Sequence, residues 1–361
     1  MAILAAVGAL VGAVPAAATN GTVWTTLPSM PTPRADLAAA AAPCPPGQTG
    51  TCVYAVGGSA GGSTVADTRG TVESYNRLTN AWSTLRSLPT PRWGLGAATA
   101  PCPRGQKGSC IYAVGGNSGS GAVGVVESYN PATNAWSRVA SLNTARYTLG
   151  VSTAPCPRGQ KGTCIYAVGG NSGSGAVGVG VGVVESYNPA TNAWSRVASL
   201  NTARFAFGAS TAPCPQGQTG TCVYAAGGLS SGNAIGTVES YNPASNAWSP
   251  VTSLPAPRFS FGASAAPCPQ GQKGTCIYAA SGFDSRAGVV GTVESYNPTT
   301  NAWTTLPALP TPRAGLAAAT TDCPPGETGT CVYAVGGIIE AGTAVGTSEA
   351  LDPPATPRSR S

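Results

Sequence analysis

Short apolar runs that end in a glycine pair recur along the chain. Residues 53–58 read Val-Tyr-Ala-Val-Gly-Gly, and close variants of this run return at residues 111–116, 165–170, 223–228, 277–282 and 332–337. The starts of these runs lie 58, 54, 58, 54 and 55 residues apart. Apolar runs rich in β-branched and aromatic residues and bounded by glycine are typical of buried β-strands. Self-similarity at this period predicts one structural unit per repeat.

Each unit contains four short strand-like runs separated by turn residues. In the second unit these runs are residues 92–100, 110–114, 125–129 and 135–142. The turn between the last two opens with Asn130 and Pro131, which favour a type I turn. A solenoid is the competing architecture, but four strands per repeat favour the blade of a propeller.

A glycine pair, a tyrosine, a tryptophan and a Pro-Arg or Ala-Arg pair follow one another in this order in the successive units. This order resembles the kelch motif, and the resemblance covers about residues 20–353. It implies an all-β fold, a six-bladed kelch β-propeller with four-stranded antiparallel blades. Two units depart from the motif, because the fifth glycine pair is Ser281-Gly282 and the sixth unit has Leu351 in place of the tyrosine.

The sixth unit ends before its tryptophan, whereas Trp24 near the start of the chain is followed by Thr-Thr-Leu-Pro, as Trp303 is. We therefore expect the N-terminal strand to complete the last blade and close the ring. Closure also pairs a sheet edge that would otherwise invite aggregation. The predicted organisation is an apolar segment at residues 1–18, a propeller at residues 19–353 and a flexible basic tail at residues 354–361.

The cysteines predict a disulfide framework in an oxidising compartment, because their even number recurs at a fixed Cys-x7-Cys spacing. The pairs are Cys44 and Cys52, Cys102 and Cys110, Cys156 and Cys164, Cys214 and Cys222, Cys268 and Cys276, and Cys323 and Cys331. Zinc is the alternative, but it takes four ligands, each unit offers two cysteines, and the chain has no histidine. We predict no metal site and a secreted, extracellular or cell-surface protein.

The N-terminal segment has the composition of a secretion signal. Residues 2–18 carry no charge and end in Ala16, Ala17 and Ala18, which resembles a small-residue cleavage site. The run is shorter than the roughly 20 apolar residues of a membrane helix, so we expect no stable membrane span. An ordered arm that contacts a neighbouring copy of the chain is the alternative.

One arginine opens the first strand of every unit. The set is Arg34, Arg92, Arg146, Arg204, Arg258 and Arg313. We expect these side chains on the face of the glycine-rich loops, where they are ligand-binding candidates around one mouth of the channel. The resemblance implies the same, because intracellular kelch adaptors hold acidic side chains with arginines at matching positions. The competing interpretation is an internal ion pair with the one glutamate of each third strand.

Two further sets of side chains have both a binding and a structural interpretation. Arg104, Lys107, Arg158, Lys161 and Lys273 in the Cys loops would attract acidic polymers or be ordinary solvated charges. The tyrosine and tryptophan of each unit would stack on sugars or pack between blades, and their regular recurrence favours packing. The net charge is +6, and no run of Lys and Arg indicates a nucleic-acid partner.

The composition argues against catalysis, because histidine, the usual general base, does not occur in the sequence. Apart from the six repeated glutamates, the acids form no pair that is visible in the sequence. We expect no catalytic residue and no cofactor. The favoured function is a non-enzymatic extracellular kelch propeller that binds a protein or an anionic glycan, or that assembles with itself. The alternative is a carbohydrate-active enzyme that uses carboxylates.

Overall fold

The computed structural model describes residues 23–173 and 180–352, and every regular element in these ranges is a β-strand. Residues 1–18, predicted as a signal or arm, and the predicted tail at 354–361 lie outside them. Within the two ranges there is no helix of the length and apolarity that a membrane crossing requires. The strands are β1 Val23–Leu27, β2 Ala38–Pro43, β3 Thr51–Val56, β4 Val72–Asn76, β5 Ala81–Thr84, β6 Gly96–Pro101, β7 Ser109–Val114, β8 Val126–Asn130, β9 Ala135–Arg138, β10 Gly150–Pro155, β11 Thr163–Val168, β12 Val184–Asn188, β13 Ala193–Val197, β14 Gly208–Pro213, β15 Thr221–Ala226, β16 Leu229–Ser230, β17 Asn233–Ala234, β18 Val238–Asn242, β19 Ala247–Val251, β20 Gly262–Pro267, β21 Thr275–Ala280, β22 Phe283–Asp284, β23 Gly288–Val289, β24 Val293–Asn297, β25 Ala302–Leu306, β26 Ala317–Asp322, β27 Thr330–Val335 and β28 Ser348–Asp352.

The strands form six four-stranded antiparallel sheets, and each sheet is one blade. Blade 1 contains β2–β5, blade 2 β6–β9, blade 3 β10–β13, blade 4 β14, β15, β18 and β19, blade 5 β20, β21, β24 and β25, and blade 6 β26, β27, β28 and β1. The first strand of every blade lines the central channel. The glycine-rich loops of blades 4 and 5 add the short hairpins β16–β17 and β22–β23. The predicted six-bladed fold is confirmed.

Two predicted strand boundaries in blade 2 are wrong. The predicted first strand begins at residue 92, whereas β6 begins at Gly96. The difference arises because Gly94 has a φ of 59°, a left-handed conformation that interrupts an extended strand. The predicted fourth strand reaches residue 142, whereas β9 ends at Arg138.

The N-terminal strand closes the ring, as predicted. β1 pairs with β28 in antiparallel register, with Val23 opposite Asp352 and Leu27 opposite Ser348. The buried indole of Trp24 donates a hydrogen bond of 2.9 Å to the carbonyl oxygen of Pro307, which follows the outer strand of blade 5. Blade 6 therefore consists of three C-terminal strands and one N-terminal strand, and no blade is left with an incomplete sheet.

The repeated tyrosines and tryptophans pack between neighbouring blades. Tyr54 of blade 1 lies 6.0 Å from Tyr129 of blade 2 between ring centroids. Tyr129 in turn lies 5.1 Å from Trp136, whose indole donates to the carbonyl oxygen of Arg86 at 2.9 Å. Closely related contacts recur around the ring and connect one inter-blade apolar cluster to the next. The packing interpretation therefore describes these aromatic residues.

The glycine pairs allow each blade to approach the next one closely. Gly58 has a φ of 110°, and its N–H donates to the carbonyl oxygen of Arg92 at 3.0 Å. A Cβ atom at Gly57 would lie 2.6 Å from the same oxygen, so a side chain there would displace blade 2. The equivalent bond from Gly337 to the carbonyl oxygen of Arg34 joins blade 6 to blade 1.

The departure at the fifth pair is accommodated by hydrogen bonds. Ser281 adopts a φ of 63°, which is uncommon for a residue other than glycine. Its hydroxyl donates to the carbonyl oxygen of Val290 at 2.7 Å and accepts from the backbone N–H of Arg313 at 2.9 Å. The serine therefore adds its own connection between blades 5 and 6.

Candidate functional site

The six repeated arginines lie in the interior of the blades, and each has no exposed surface. Every guanidinium contacts the glutamate of the third strand in its own blade. The ion pairs are Arg34–Glu73, Arg92–Glu127, Arg146–Glu185, Arg204–Glu239, Arg258–Glu294 and Arg313–Glu349. Both members of each pair are buried, so the charges compensate each other away from water.

The ion pair of Arg92 and Glu127 in blade 2 illustrates the hydrogen bonds that these buried charged groups make. Arg92 donates to the carbonyl oxygens of Thr90, Ala113 and Gly115 at 2.7 to 2.9 Å, and to Glu127 Oε2 at 2.6 Å. The hydroxyl of Thr90 donates to Glu127 Oε1 at 2.9 Å. Burial lowers the pKa of Arg92 from its ordinary value, and the charge and hydrogen bond of Glu127 oppose that shift. This network holds the entry of the first strand against the second and third strands.

The structure therefore corrects the expected position of the arginines. Sequence analysis places them around a channel mouth as ligand-binding candidates, whereas the side chains point into the blades and contact glutamates and backbone carbonyls. A ligand could reach a guanidinium only by displacing its glutamate. The ion-pair interpretation describes all six arginines.

The channel mouth on the side of the glycine-rich loops is formed by a closed ring of backbone hydrogen bonds. Each of six residues donates its N–H to the carbonyl oxygen of its counterpart in the preceding blade, at 2.6 to 2.8 Å. All six have a φ between 48° and 61°. The ring consists of Asp36, Gly94, Thr148, Ala206, Ser260 and Gly315. Left-handed non-glycine residues are strained, and the cyclic bonding holds four of them in that conformation.

An incomplete circle of aromatic side chains surrounds this ring. The residue that precedes each ring member is aromatic in blades 2 to 5 and alanine in blades 6 and 1, where it is Ala314 and Ala35. We define the aromatic crescent as Trp93, Tyr147, Phe205 and Phe259, all of which are partly exposed.

Neighbouring contacts hold the crescent in place. The rings of Trp93 and Tyr147 meet edge to face, with centroids 5.2 Å apart, and Phe259 packs on Phe283 at 5.1 Å. Each crescent backbone also forms a β-bridge to the residue after the glycine pair of its blade, as Phe205 does to Leu229. The crescent is therefore a preorganised aromatic surface.

Asp36 is the one charged residue among the twelve that line the mouth, where a cavity of about 120 Å³ opens. It belongs to blade 1, where the crescent is open. Burial raises the pKa of this carboxyl group to about 6. The channel below the mouth has a volume of about 260 Å³ and is lined by alanine, serine, threonine and valine. The mouth therefore combines an aromatic side with a single ionisable acid.

All six Cys-x7-Cys units form disulfides within their own blades, as predicted. The paired Cα atoms lie 4.7 to 4.9 Å apart. Ligand-type atoms of Cys323, Glu327 and Cys331 lie within 4.8 Å of one another. Both sulfurs belong to one disulfide, so they are not the thiolates that zinc requires.

A family profile described as the kelch motif matches residues 40–89, 106–143, 160–201, 217–255 and 272–310, more than half of the chain. The chain belongs to the kelch-repeat family. The profile does not match the sixth blade, in which Leu351 stands in place of the tyrosine and the fourth strand comes from the N-terminus.

Two similar proteins have kelch names, and one solved structure has a similar fold. Kelch-like protein 23 of Homo sapiens is 29% identical over 218 residues, which is 59% of this chain and 33% of that protein. Kelch-like ECH-associated protein 1A of Danio rerio is 33% identical over 108 residues, which is 29% of this chain and 16% of that protein. The matched region thus spans a third or less of these relatives. A solved structure titled "Structure of YjhT" has a TM-score of 0.61 at 17% identity and covers 89% of this chain and 95% of that one, which shows the shared fold.

Among the residues that the structure describes, the carboxylates do not converge on the channel axis, and Asp36 is the one acid that lines either of the two cavities there. Two other acids approach each other beside the closing strand, since the negative charge of Glu327 adds to burial in raising the pKa of Asp352. Glu327 accepts a hydrogen bond of 2.7 Å from the hydroxyl of Thr25. This geometry gives no support to the carbohydrate-active enzyme alternative.

Sequence analysis missed the aromatic crescent because it compared the positions at which the repeats agree. The signal was present one residue after each arginine, where the dipeptides are Arg-Trp, Arg-Tyr, Arg-Phe and Arg-Phe in blades 2 to 5 and Arg-Ala in blades 6 and 1. Asp36 carries no comparable signal in the sequence, because only the folded ring shows that it lies at the mouth.

Proposed function

We propose that this kelch propeller is a non-enzymatic extracellular module that binds a protein partner through the aromatic crescent. Kelch propellers are typically protein-interaction modules. The observation that carries the proposal is the crescent itself, which breaks the sixfold repetition at a partly exposed position. Aromatic side chains, above all tryptophan and tyrosine, supply much of the binding energy at protein interfaces.

Rigidity supports the same function. The crescent residues lie beside a hydrogen-bonded ring and are bridged to the glycine-rich loops. A surface that is already ordered loses little conformational entropy on binding, so more of the contact energy appears as affinity. A disulfide in every blade adds durability to the scaffold.

The distribution of polar groups indicates the chemistry of the partner. Asp36 lies on the open side of the crescent, and an ionised carboxylate there favours a nearby cation. We infer that the partner presents an apolar side chain to the crescent and a lysine, arginine or amino terminus to Asp36. Pairing with a cation would lower the pKa of Asp36 from about 6, so such a partner should bind more tightly as the pH rises through this value.

The extracellular part of the proposal rests on the disulfides, which persist in oxidising compartments. Assembly into dimers or filaments through an arm at residues 2–18 stays a prediction, because that segment lies outside the described residues. N-terminal sequencing and electron microscopy of secreted material test it. A mature chain that begins near Thr19 and is monomeric would rule the arm out.

Selection from a random peptide library displayed on phage tests the proposal. The oxidised full-length chain is the target, and enriched peptides are measured against Trp93→Ala and Phe259→Ala. We expect sequences that combine aromatic or aliphatic residues with a lysine or arginine. Each crescent substitution should weaken their binding by roughly tenfold to thirtyfold, as for an interface hot spot.

The control is Lys273→Ala, which alters an exposed residue in the Cys loop of blade 5. Its peptide affinity should equal that of the unmodified chain. Enriched peptides that bind both crescent variants at full affinity would contradict the proposal, and so would a selection that enriches no sequence family.

A further inference from the structure

The second and third blades carry an uncompensated positive charge. The acids in residues 85–204 are Glu127 and Glu185, and both are buried in ion pairs with Arg92 and Arg146. Seven other cationic side chains in the same range are exposed. They are Arg86, Arg104, Lys107, Arg138, Arg158, Lys161 and Arg196. The net charge of +6 for the whole chain understates this local field.

Four of these cations belong to two Cys loops that begin with the same residues, Cys-Pro-Arg-Gly-Gln-Lys-Gly. We define the Cys face as the side of the propeller formed by the six Cys loops, opposite the glycine-rich loops. Blade 6 brings the opposite charge to this face through Asp322, Glu327 and Asp352. The Cys face is thus polarised, with cations concentrated on blades 2 and 3.

Arg104 of blade 2 and Lys161 of blade 3 line one cleft of about 340 Å³. Pro101 and Pro189 contribute apolar surface to the same cleft. Arg104 and Lys161 are exposed and make no hydrogen bond or ion pair within the described ranges. Both positive groups are therefore available to a ligand.

This pairing of two cations occurs at one of the six blade boundaries. The residues equivalent to Arg104 and Lys161 at the other boundaries are Pro46 and Lys107, Arg158 and Thr219, Gln216 and Lys273, Gln270 and Thr328, and Pro325 and Thr49. Blades 2 and 3 share their loop sequence, and this identity places the arginine of one opposite the lysine of the next.

The loops hold these cations on a fixed backbone. The Cα atoms of Cys102 and Cys110 lie 4.8 Å apart across their disulfide. Within the loop the N–H of Gln106 donates to the carbonyl oxygen of Pro103 at 2.9 Å. The loop of blade 3 repeats this arrangement with Cys156 and Cys164. The ordering cost that a ligand meets is therefore confined to the side chains.

We propose that this cleft binds an acidic glycan, with one carboxylate or sulfate group held between Arg104 and Lys161. The planar guanidinium suits two parallel hydrogen bonds to such a group. Lys107 and Arg158 on the same two loops would contact further charges of the same polymer.

A glycan fits the cleft better than a nucleic acid does. The residues that line the cleft include no aromatic side chain on which a base could stack. The disulfides also disfavour the cytosol and the nucleus, where nucleic acids are found. The cleft lies on the face opposite the aromatic crescent, so this proposal does not depend on the proposed function.

Fluorescence anisotropy with labelled oligosaccharides tests the cleft in the oxidised full-length chain. The probes are heparin fragments for sulfate and oligogalacturonate for carboxylate, measured at low and at physiological salt. The double variant Arg104→Gln/Lys161→Gln should weaken binding of the preferred probe by at least about tenfold. The charge-matched control Arg138→Gln/Arg196→Gln removes two cations from the outer strands of the same blades and should weaken binding by less than about threefold.

Three results would overturn the proposal. Equal losses in the two double variants would mean a diffuse field without a cleft. Failure of both probes to bind at low salt would exclude a site for acidic glycans. Single-stranded DNA of the same charge that binds as tightly, with the same loss in Arg104→Gln/Lys161→Gln, would show a general polyanion site. The exchange Arg104→Lys/Lys161→Arg keeps both charges and one guanidinium in the cleft, so it should weaken binding by less than Arg104→Gln/Lys161→Gln does, which separates loss of charge from damage to the loops.

Discussion

Each repeated arginine and the residue that follows it are neighbours in sequence, but they differ in burial and in how much they vary between blades. We call the six arginines and their paired glutamates the inner layer, and the residues that follow the arginines belong to the channel mouth. Arginine occupies the inner position in all six blades, has no exposed surface and is paired with glutamate. The next residue is partly exposed in blades 2 to 5 and varies among tryptophan, tyrosine and phenylalanine. Positions that every repeat shares hold the propeller together, whereas the positions at which the repeats differ are those through which we propose that it binds a partner.

Breaking a buried ion pair should have the largest effect on stability. Glu127→Gln leaves the guanidinium of Arg92 buried without a counter-charge, which we expect to lower the free energy of unfolding by about 3 to 5 kcal/mol. Denaturant unfolding of the oxidised chain measures the loss.

The matched control is Asp322→Asn, which breaks the exposed ion pair with Arg77. Exposed pairs contribute about 0 to 1 kcal/mol. Similar losses in the two variants would show that the inner layer is not the stabilising element.

Removal of one disulfide should lower the free energy of unfolding by less, and it should leave peptide binding on the opposite face unchanged. Cys156→Ser/Cys164→Ser opens a loop with a sequence separation of 8, and the chain-entropy relation gives a loss of about 2 to 3 kcal/mol. Peptides selected on the crescent should bind this variant unchanged below its melting temperature. A parallel loss of peptide affinity would mean that the two faces are not independent.

The smallest expected effect comes from the acid at the mouth. The pKa of Asp36 is about 6 in the folded chain against an ordinary 3.8, so the folded state binds more protons between these values and stability falls as the pH rises through them. Because Asp36 is partly exposed, we expect a loss of about 1 to 2 kcal/mol.

Asp36→Asn should remove this pH dependence and stabilise the chain at neutral pH, since asparagine also tolerates a left-handed backbone. Thermal melts across pH 4 to 7, the range set by the two pKa values, measure the difference. Parallel pH profiles for the two proteins would contradict the assignment.

The sequence predicted the blades well because their determinants are local and repeated. Glycine pairs, turn residues and the Cys-x7-Cys units each act within one repeat. Ring closure could also be predicted, because the sixth repeat lacks a tryptophan and Trp24 near the start of the chain supplies one. The arginines were harder, because a repeated arginine and a repeated glutamate are compatible with a surface ring or with six internal pairs. Only the packing of the second and third strands around Arg92 decides between them.

The mouth could not be predicted from any single repeat. The ring that joins Asp36 to Gly315 and onward depends on contacts between residues that lie a whole repeat apart or at opposite ends of the chain. The aromatic crescent likewise depends on the whole fold, because each of four neighbouring blades contributes one of its residues. A comparison of the repeats for their differences, besides their agreements, would have found its members.

The most direct test of this account measures folding and binding separately for substitutions of the inner arginines and glutamates and of the aromatic crescent. Single substitutions of the full-length chain are displayed on yeast, and one fluorescent signal reports the amount displayed while another reports a peptide selected on the unmodified protein. We predict that substitutions of the six inner arginines and glutamates lower the amount displayed, whereas substitutions of Trp93, Tyr147, Phe205 and Phe259 lower peptide binding at normal display. Crescent substitutions that lower display as much as the inner ones do, or a peptide signal that depends on residues outside the mouth, would contradict the account.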